Sequence, residues 1–252
     1  MNAKLPSFLN FQSADDLIRL GSDYDCGYLA SQNDVMKSDV LISLGINDNW
    51  SFEEDFISMR DIEVFAYDAS MSEKHFFKQF KRSFRNLNSK FTLHWFKTWK
   101  NYKKFFSQKR VHHIEKFVGL NSNNKIYCTL SSIFNDTDKQ NIFLKCDIEG
   151  WEYRFLDTII KNQNRICGLV IEFHDFDIHL EKIKDFVKNF DLKIAHIHAN
   201  NTAQIRSSDD LPLVMELTFS KYCNFLNSAE LPHKLDMPTS KNIPEINLVI
   251  KK

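Results

Sequence analysis

The chain has 252 residues, and its 33 basic side chains balance its 33 acidic ones, so the formal net charge is zero. A hydrophobic content of 43% with 23 phenylalanines excludes a disordered chain, because it supplies a large apolar core. The balanced charge gives no global argument for binding to an anionic membrane or to nucleic acid, so that any such claim must rest on local charge. We do not expect nucleic acid as a partner. The length predicts that residues 1–252 form a single α/β domain with an insertion.

Membrane spans and disulfides are not expected either. No run approaches the ~18 apolar residues of a span, and the N-terminus lacks the pattern of a signal peptide. The cysteines are scattered without a CxxC pair, at Cys26, Cys128, Cys146, Cys167 and Cys223. We therefore expect a cytoplasmic protein whose thiols stay reduced.

The first part of the chain alternates between predicted strands and a helix. The first strand begins at Asp39 and ends at Gly45, and the second, IEVFAYD, ends at Asp68. Between them, Ser51 is followed three residues later by Glu54, which predicts Ser51 as the N-cap of a helix with the sequence SFEEDFISM.

The later part of the chain continues this alternation after a basic interruption. Residues 73–109 are basic and aromatic with helical periodicity, which predicts a helical insertion or lid. Further strands are predicted at VHHIEKFVG, KIYCTL, NIFLKCDIEG, ICGLVIEF, LKIAHIH and LVMELTF. Helices are predicted from Trp151 to Lys161 and in IHLEKIKDFVKNF. This spacing predicts a doubly wound, Rossmann-like, mostly parallel sheet.

Ligands of such sheets bind beyond the carboxyl ends of the strands. There, a turn containing Gly45 and Asp48 leads into a helix N-terminus that favours negative charge. The G-x-G-x-x-G pattern of dinucleotide binding is absent, and a lone glycine is also typical of a simple turn. Asp68 lies about 20 residues further on, where an acid can accept hydrogen bonds from ribose hydroxyls, although a strand-ending Asp also commonly starts a turn.

The segment LKCDIEGWEY places four chemically distinctive residues close together, at Asp147, Glu149, Gly150 and Glu152. On a continuing strand Asp147 and Glu149 would share a face and repel each other, which favours a bound cation, a positive cofactor or an acceptor hydroxyl between them. Alternatively, one of these acids caps the following helix.

The sequence CDIEGWEYRFLD resembles the D-x-E-G-x-E-x-x-x-L signature of FkbM-type methyltransferases, and the resemblance covers roughly residues 36–220. It implies the seven-stranded sheet of class I methyltransferases, with S-adenosylmethionine lying across the ends of the first, second and fourth strands. By this resemblance, Gly45 and its turn would face the methionine part, Asp68 the ribose, and Asp147 with Glu149 the floor of the site. The reduced glycine motif departs from the family pattern at the contacts to the methionine carboxylate, which backbone amides could still provide.

Histidines beside carboxylates follow two later strands, in IEFHDFD and HIHANN. Removing a proton from a hydroxyl near neutral pH needs a general base, so His174 or His198 is the candidate, with Asp147 as a further catalytic residue. Alternatively, Asp147, Glu172, His174 and His198 converge on a divalent metal such as Mn²⁺ or Mg²⁺. A structural role for each histidine is a third interpretation.

The resemblance implies transfer of a methyl group from S-adenosylmethionine to a hydroxyl of a sugar or a sugar-linked polar group. The acceptor would be a nucleotide-linked or phosphorylated sugar in bacterial surface-polysaccharide (capsule) or glycan biosynthesis. The alternatives are methylation of a phosphate- or amino-containing small precursor, and a noncatalytic nucleoside- or RNA-binding module. The basic segment could be amphipathic helices with a solvated face, a lid over a phosphorylated acceptor, or a surface for RNA or a membrane.

Overall fold

The computed structural model describes residues 2–84 and 89–251. Within these ranges the strands are β1 (Asn2–Leu5), β2 (Leu17–Leu20), β3 (Tyr28–Ser31), β4 (Val40–Leu44), β5 (Glu63–Tyr67), β6 (Val111–Ile114), β7 (Phe117–Gly119), β8 (Tyr127–Thr129), β9 (Ile142–Cys146), β10 (Ile166–Phe173), β11 (Lys193–Ala199), β12 (Ile205–Arg206), β13 (Leu211–Pro212), β14 (Met215–Ser220) and β15 (Asn247–Ile250). The α-helices are α1 (Gln32–Lys37), α2 (Ser51–Met59), α3 (Glu73–Ser83), α4 (Ser89–Phe106), α5 (Leu130–Asp136), α6 (Leu156–Lys161) and α7 (Leu180–Asn189).

Seven strands form the central sheet in the order β11-β14-β10-β9-β4-β5-β6. All run parallel except β14, which is antiparallel to both of its neighbours. The predicted Rossmann-like, seven-stranded, mostly parallel sheet is therefore confirmed. The chain proceeds outward from β4 through β5 to β6 and then returns to β9 on the other side of β4. This reversal opens a crevice at the carboxyl ends of β4 and β9, where doubly wound sheets bind their ligands.

The central strands are buried on both faces, as their apolar runs predict. All residues of β4, β9 and β10 are buried. Successive side chains enter opposite cores, so that Leu41 packs with Phe143 on one face and Ile42 with Leu144 on the other. Gly168 accommodates the Phe143 ring, because a Cβ there would lie 2.5 Å from Phe143 Cε2. Truncating Phe143 to Ala would cost about 3–5 kcal/mol of folding free energy.

The helix after β4 begins differently from the prediction. Trp50, not Ser51, is the N-cap residue of α2, and Ser51 is the first helical residue. The Ser51 backbone amide donates 3.1 Å to Asn49 Oδ1, so an asparagine two residues earlier does part of the capping. The Trp50 ring packs edge-on against Phe76 and Tyr102, which fixes the entry of the chain into α2.

Three other predicted elements are shorter than expected or divided. The helix predicted from Trp151 to Lys161 is a 3₁₀ turn over Glu152–Arg154 followed by α6, because the Glu152 carboxylate folds back to accept backbone hydrogen bonds instead of facing outward. VHHIEKFVG divides into β6 and β7. KIYCTL contributes only β8, which pairs with β7 outside the central sheet.

The basic segment forms an antiparallel pair of helices, α3 and α4, which we call the basic hairpin. Residues 85–88 of the predicted insertion lie outside the described residues. The Ser72 hydroxyl caps α3 by accepting 3.1 Å from the His75 amide. One end of the hairpin is fixed to the sheet, because Phe76 is fully buried and Tyr102 Oη lies 2.6 Å from His113 Nδ1 on β6.

Candidate active site

A cavity of about 790 Å³ lies at the carboxyl ends of β4, β5, β9 and β10. Five carboxylates line it, from Asp25, Asp68, Asp147, Glu149 and Glu172. Basic side chains reach it from only two lining residues, Lys145 and His174. The cavity is therefore rich in acids, and a cationic ligand suits it better than an anionic one.

The turn after β4 forms one wall of the cavity. Gly45 has a φ of +82°, and a Cβ on it would lie 1.8 Å from the Asp147 carbonyl oxygen, so only glycine fits. Asp68 Oδ2 accepts hydrogen bonds from the backbone amides of Ile46 (3.1 Å) and Asn47 (2.9 Å). These two amides, which belong to the turn expected to hold the methionine carboxylate, thus already have an acceptor within the protein.

The second carboxylate oxygen of Asp68 is also engaged. Asp68 Oδ1 accepts from the Ser70 amide at 2.7 Å and from the Ser70 hydroxyl at 2.5 Å. Burial alone would raise the pKa of Asp68, but these hydrogen bonds outweigh it and lower the pKa. Asp68 is therefore a fixed anion at the end of β5, and it combines the turn-forming role with a place on the cavity wall.

Four side chains, of which Asp147 is partly exposed and the others are buried, form a hydrogen-bonded row across the cavity floor. Tyr28 Oη lies 2.9 Å from Asp147 Oδ2 and 3.1 Å from Glu172 Oε2, and Asn200 Nδ2 donates 2.9 Å to Glu172 Oε1. A tyrosine hydroxyl has one proton to donate, so two carboxylates can contact it only if one of them is protonated. Burial, followed by the charge of Asp147, raises the pKa of Glu172 to about 8, which makes Glu172 the proton carrier.

A lysine inside the sheet reaches the same floor, and the sequence analysis did not identify it. Lys145 is 1% exposed, and its Nζ donates 2.9 Å to the Gly45 carbonyl and lies 3.6 Å from Glu53 Oε1. Ser43 Oγ donates to the same Glu53 oxygen. Burial would lower the pKa of Lys145, but Glu53 and Asp147 outweigh it and raise the pKa. A lysine within the apolar run FLKC was the available signal, since a buried lysine needs an acidic partner.

His174 follows β10 and faces the cavity between acids. Its Nδ1 lies 3.1 Å from Glu152 Oε1, and because a carboxylate only accepts, we assign the proton to Nδ1. Its Nε2 lies 3.6 Å from Glu149 Oε2 and 4.0 Å from Asp147 Oδ1. Burial would lower the pKa of His174, but these acids outweigh it and raise the pKa to about 9. His174 is therefore a cation near neutral pH in the ligand-free protein.

Glu152 holds the His174 ring in this position through its carboxylate. It is fully buried, and its Oε1 also accepts from the amides of Ile148 (3.0 Å) and Gly150 (3.1 Å). Glu152 belongs to the acidic motif of the sequence, but no role was predicted for it. One carboxylate oxygen thus fixes both the loop after β9 and the His174 ring.

His198 does not line the cavity. It lies on β11, where its Nδ1 is 3.1 Å from Glu216 Oε2 and its Nε2 is 3.1 Å from Glu245 Oε1. Both ring nitrogens are thus occupied by carboxylates of the protein. Burial would lower the pKa of His198, but Glu216 and Glu245 outweigh it and leave the pKa well above its usual range. The structure therefore separates the two histidines that the sequence analysis could not distinguish.

The four predicted metal ligands do not all come together. Among residues 2–84 and 89–251, a set that could hold a metal consists of Asp147, Glu152 and His174, whose ligand atoms lie within 4.8 Å of one another. Of the predicted ligands, His198 is held by glutamates elsewhere and Glu172 is engaged by Asn200 and Tyr28. Glu152 Oε2 is buried and has no hydrogen-bond partner among the described residues, which fits a place beside a cation.

The remaining predicted cofactor-binding residues differ in position. Glu149 lines the cavity with its side chain 82% exposed, whereas Asp48 is not among the lining residues. The upstream segment RLGSDYDCGY contributes Asp25 and Cys26 to the lining, and Arg19 holds that loop by donating to the carbonyls of Ser22 and Tyr24.

The sequence matches no protein-family profile and no curated protein. Similar solved structures include precorrin-6y C5,15-methyltransferase from Geobacter metallireducens, at 13% identity and a TM-score of 0.40 over 75% of this chain and 85% of that one. An rRNA methylase from Streptococcus thermophilus has 9% identity and a TM-score of 0.39 over 76% and 93% of the two chains. M. jannaschii TYW2 in complex with AdoMet has 10% identity and a TM-score of 0.36 over 82% and 87%. At TM-scores this low, these likenesses carry no argument about activity.

The strand order of the protein itself defines its fold class. A seven-stranded sheet that begins in the middle at β4, extends to β6 on one side and ends on the other with an antiparallel β14 between β10 and β11 is the class I methyltransferase fold. None of the helices in the described ranges is long and apolar enough to cross a membrane.

Proposed function

We propose that the protein binds S-adenosylmethionine in this cavity and transfers its methyl group to a hydroxyl of a sugar or a sugar-linked polar group. The observation that carries the proposal is the row of acids at the switch point of the sheet. The donor is a sulfonium cation, and with Glu172 protonated the other four acids of the lining still outnumber its two basic side chains. In a partly buried site this excess of negative charge favours a cationic donor over a neutral or anionic nucleotide.

The cavity offers a distinct environment for each part of the donor. Asp68 would accept a ribose hydroxyl in exchange for one of its present donors, such as the Ser70 hydroxyl, because its four lone pairs already accept from Ile46, Asn47 and Ser70. The adenine would lie against Met71, Phe117 and Tyr127, the apolar part of the lining. The methionine carboxylate would approach Lys145, whose ammonium group has three donors and contacts the Gly45 carbonyl and Glu53.

Methyl transfer then requires alignment and one proton acceptor. The acceptor oxygen attacks the methyl carbon while the sulfur leaves with the bonding electron pair, giving S-adenosylhomocysteine, and the hydroxyl proton passes to a base. His174 is the base in this proposal, with Asp147 orienting the acceptor beside it. The bound sulfonium lowers the pKa of His174 from its raised value, because a nearby cation disfavours the protonated ring.

A metal-assisted reaction is the second candidate, and the cluster of Asp147, Glu152 and His174 favours it. Mn²⁺ or Mg²⁺ held by these residues would lower the pKa of the acceptor hydroxyl. The orphaned Glu152 Oε2 would gain a partner, and His174 would bind as the neutral ring.

The acceptor proposed here is a nucleotide-linked or phosphorylated sugar of bacterial polysaccharide or glycan biosynthesis, methylated in the cytoplasm. Glu149, Asn200 and Thr202 line the cavity and suit sugar hydroxyls. A phosphate- or amino-containing precursor is the alternative acceptor. No described residue of the basic hairpin lines the cavity, so the described part of the hairpin gives no support to a lid over a phosphorylated acceptor.

The test is a methyl-transfer assay with isotopically labelled S-adenosylmethionine and three acceptor panels: nucleotide sugars, phosphorylated sugars and amino sugars. Each reaction is run with Mn²⁺, with Mg²⁺ and with a chelator. Label transfer to oxygen that is lost in Asp147→Asn and retained in Asp48→Asn supports the proposal. Label on nitrogen would support the alternative acceptor, and donor binding without transfer to any panel would favour a noncatalytic module.

A further inference from the structure

The charge of the molecule is divided unevenly between the basic hairpin and the rest. Residues 73–106 contain ten Lys and Arg side chains and one acid, whereas the rest of the chain contains 23 basic and 32 acidic side chains. All nine of these basic residues that the structure describes are exposed: Lys74, Lys78, Lys81, Arg82, Lys90, Lys97, Lys100, Lys103 and Lys104. A neutral chain thus presents one strongly positive surface.

The two ends of the hairpin differ in their contacts. The end near the sheet is buried, with Phe76 and Tyr102 packed on Trp50. Further along, Phe80 and Phe96 are in contact at 5.1 Å between ring centroids and join the two helices. Beyond that contact, toward the connection between the helices, lies the part we call the hairpin tip, which comprises Phe80–Phe84 and residues 90–93.

The hairpin tip exposes apolar side chains among basic ones. Phe84 is 60% exposed and Leu93 is 51% exposed, although both are large and hydrophobic. Lys81, Arg82 and Lys90 are exposed in the same turns of the helices. Exposed Phe and Leu combined with surrounding Lys and Arg are typical of segments that lie in the interface of an acidic bilayer.

We propose that the hairpin tip docks on the surface of a membrane that contains anionic phospholipids. Phe84 and Leu93 enter the boundary between headgroups and acyl chains, while the basic side chains contact lipid phosphates. Insertion of apolar side chains alone, or attraction of basic side chains to lipid phosphates alone, gives weak, reversible binding. The two together give stable association. This docking does not depend on the proposed methyl transfer, since none of the hairpin residues that the structure describes lines the cavity.

The same surface is less suited to single-stranded RNA. Its aromatic rings pack on one another, with Phe77 4.9 Å and Phe80 6.1 Å from Trp99, so these faces are not open platforms for bases. Leu93 has no ring to stack. The exposed cations are nearly all lysines, which act as point charges on phosphate and lack the planar fork that arginine offers to nucleic acid.

The experiment is co-sedimentation of the full chain with phosphatidylcholine vesicles that contain about 30% phosphatidylglycerol or none. The wild type sediments with the acidic vesicles only, and high salt weakens the binding. Phe84→Ser with Leu93→Ser lowers the fraction bound roughly tenfold or more. The matched control, Leu120→Ser with Ile178→Ser, removes two apolar side chains elsewhere that are at least as exposed and leaves binding unchanged.

A second pair of variants tests the charge. Lys81→Glu with Lys90→Glu abolishes sedimentation, whereas Lys182→Glu with Lys188→Glu, two exposed lysines on α7, does not. Circular dichroism confirms that every variant is folded. Failure of folded wild-type protein to bind acidic vesicles, or equal binding by the tip and control variants, overturns the proposal. Binding of labelled single-stranded RNA without vesicle binding also overturns it and assigns the surface to RNA.

Discussion

The molecule contains two histidine clusters that share their chemistry and differ in access. His174, after β10, lies among three carboxylates, and His198, within β11, lies between two; both have raised pKa values. His174 directs Nε2 toward the cavity, with its closest acid there at 3.6 Å. His198 has a carboxylate at 3.1 Å on both nitrogens and lies outside the cavity.

This difference shows that a perturbed pKa does not by itself identify a reactive residue. In the His198 cluster the ring joins three parts of the chain, since Glu216 comes from β14 and Glu245 from the segment before β15. In the His174 cluster one nitrogen is fixed by Glu152 and the other can meet a ligand. The first arrangement stabilises the fold and the second can perform chemistry.

The largest expected effect is on turnover, which should fall when His174 is replaced and not when His198 is replaced. His174→Gln lowers kcat for methyl transfer by roughly 10²–10⁴-fold, because the proton acceptor is lost. The affinity for S-adenosylmethionine stays within about threefold, since the ring acts on the acceptor hydroxyl. His198→Gln leaves kcat nearly unchanged. Steady-state kinetics on both variants check this, and equal losses in the two would eliminate the distinction.

For the free energy of unfolding we expect the opposite result, with the larger loss in His198→Gln. His198→Gln removes a buried cation from between two glutamates and lowers the free energy of unfolding by about 3–5 kcal/mol. His174→Gln costs less, because Glu149 and Asp147 face a cavity that water enters. Urea unfolding of the two variants measures the difference. A larger loss for His174→Gln would mean that the cavity cluster is structural.

Replacing Asp68, the proposed ribose contact in the cavity, should have a smaller effect, on the affinity for the cofactor. Asp68→Asn weakens S-adenosylmethionine binding about tenfold, because it replaces a charged acceptor of ribose hydroxyls with a neutral amide. Asp48→Asn is the matched control, because Asp48 lies in the turn after β4 that Asp68 holds but is not among the cavity-lining residues, and its affinity stays at the wild-type value. Calorimetric titration of both variants, with melting temperatures recorded, tests the assignment. Equal affinities would remove Asp68 from the ribose role.

The last effect, comparable in free energy to the tenfold loss of affinity, is the dependence of stability on pH. The folded protein holds the His174 proton up to about pH 9, whereas an unperturbed histidine loses it near pH 6.5. The stabilisation that protonated His174 gives to the fold is therefore complete below pH 6.5 and disappears as the pH rises to about 9. The free energy of unfolding falls by roughly 1–3 kcal/mol over this range. The pKa of His198 is raised as well, so its contribution to stability is also lost as the pH rises. Urea unfolding across this range should show a shallower slope in each Gln variant, and an unchanged slope in both would contradict these pKa directions.

Much of the fold could be predicted because the apolar runs and their polar ends are local in sequence. The strands ending at Gly45 and Asp68 and the acids after β9 needed no knowledge of distant contacts. The choice between His174 and His198 did need it, since Glu245 lies 47 residues beyond His198. The role of Lys145 depends on Glu53 in a helix 92 positions earlier, and hydrophobic periodicity carries no information on such pairs.

The measurement that tests the central claim most directly is calorimetric titration of the folded protein with S-adenosylmethionine and S-adenosylhomocysteine, with and without Mn²⁺ or Mg²⁺. We expect binding of both compounds in the micromolar range, weakened by Asp68→Asn and not by Asp48→Asn. Absence of binding by folded protein under all of these conditions would contradict the assignment of the acid-lined cavity to a sulfonium donor.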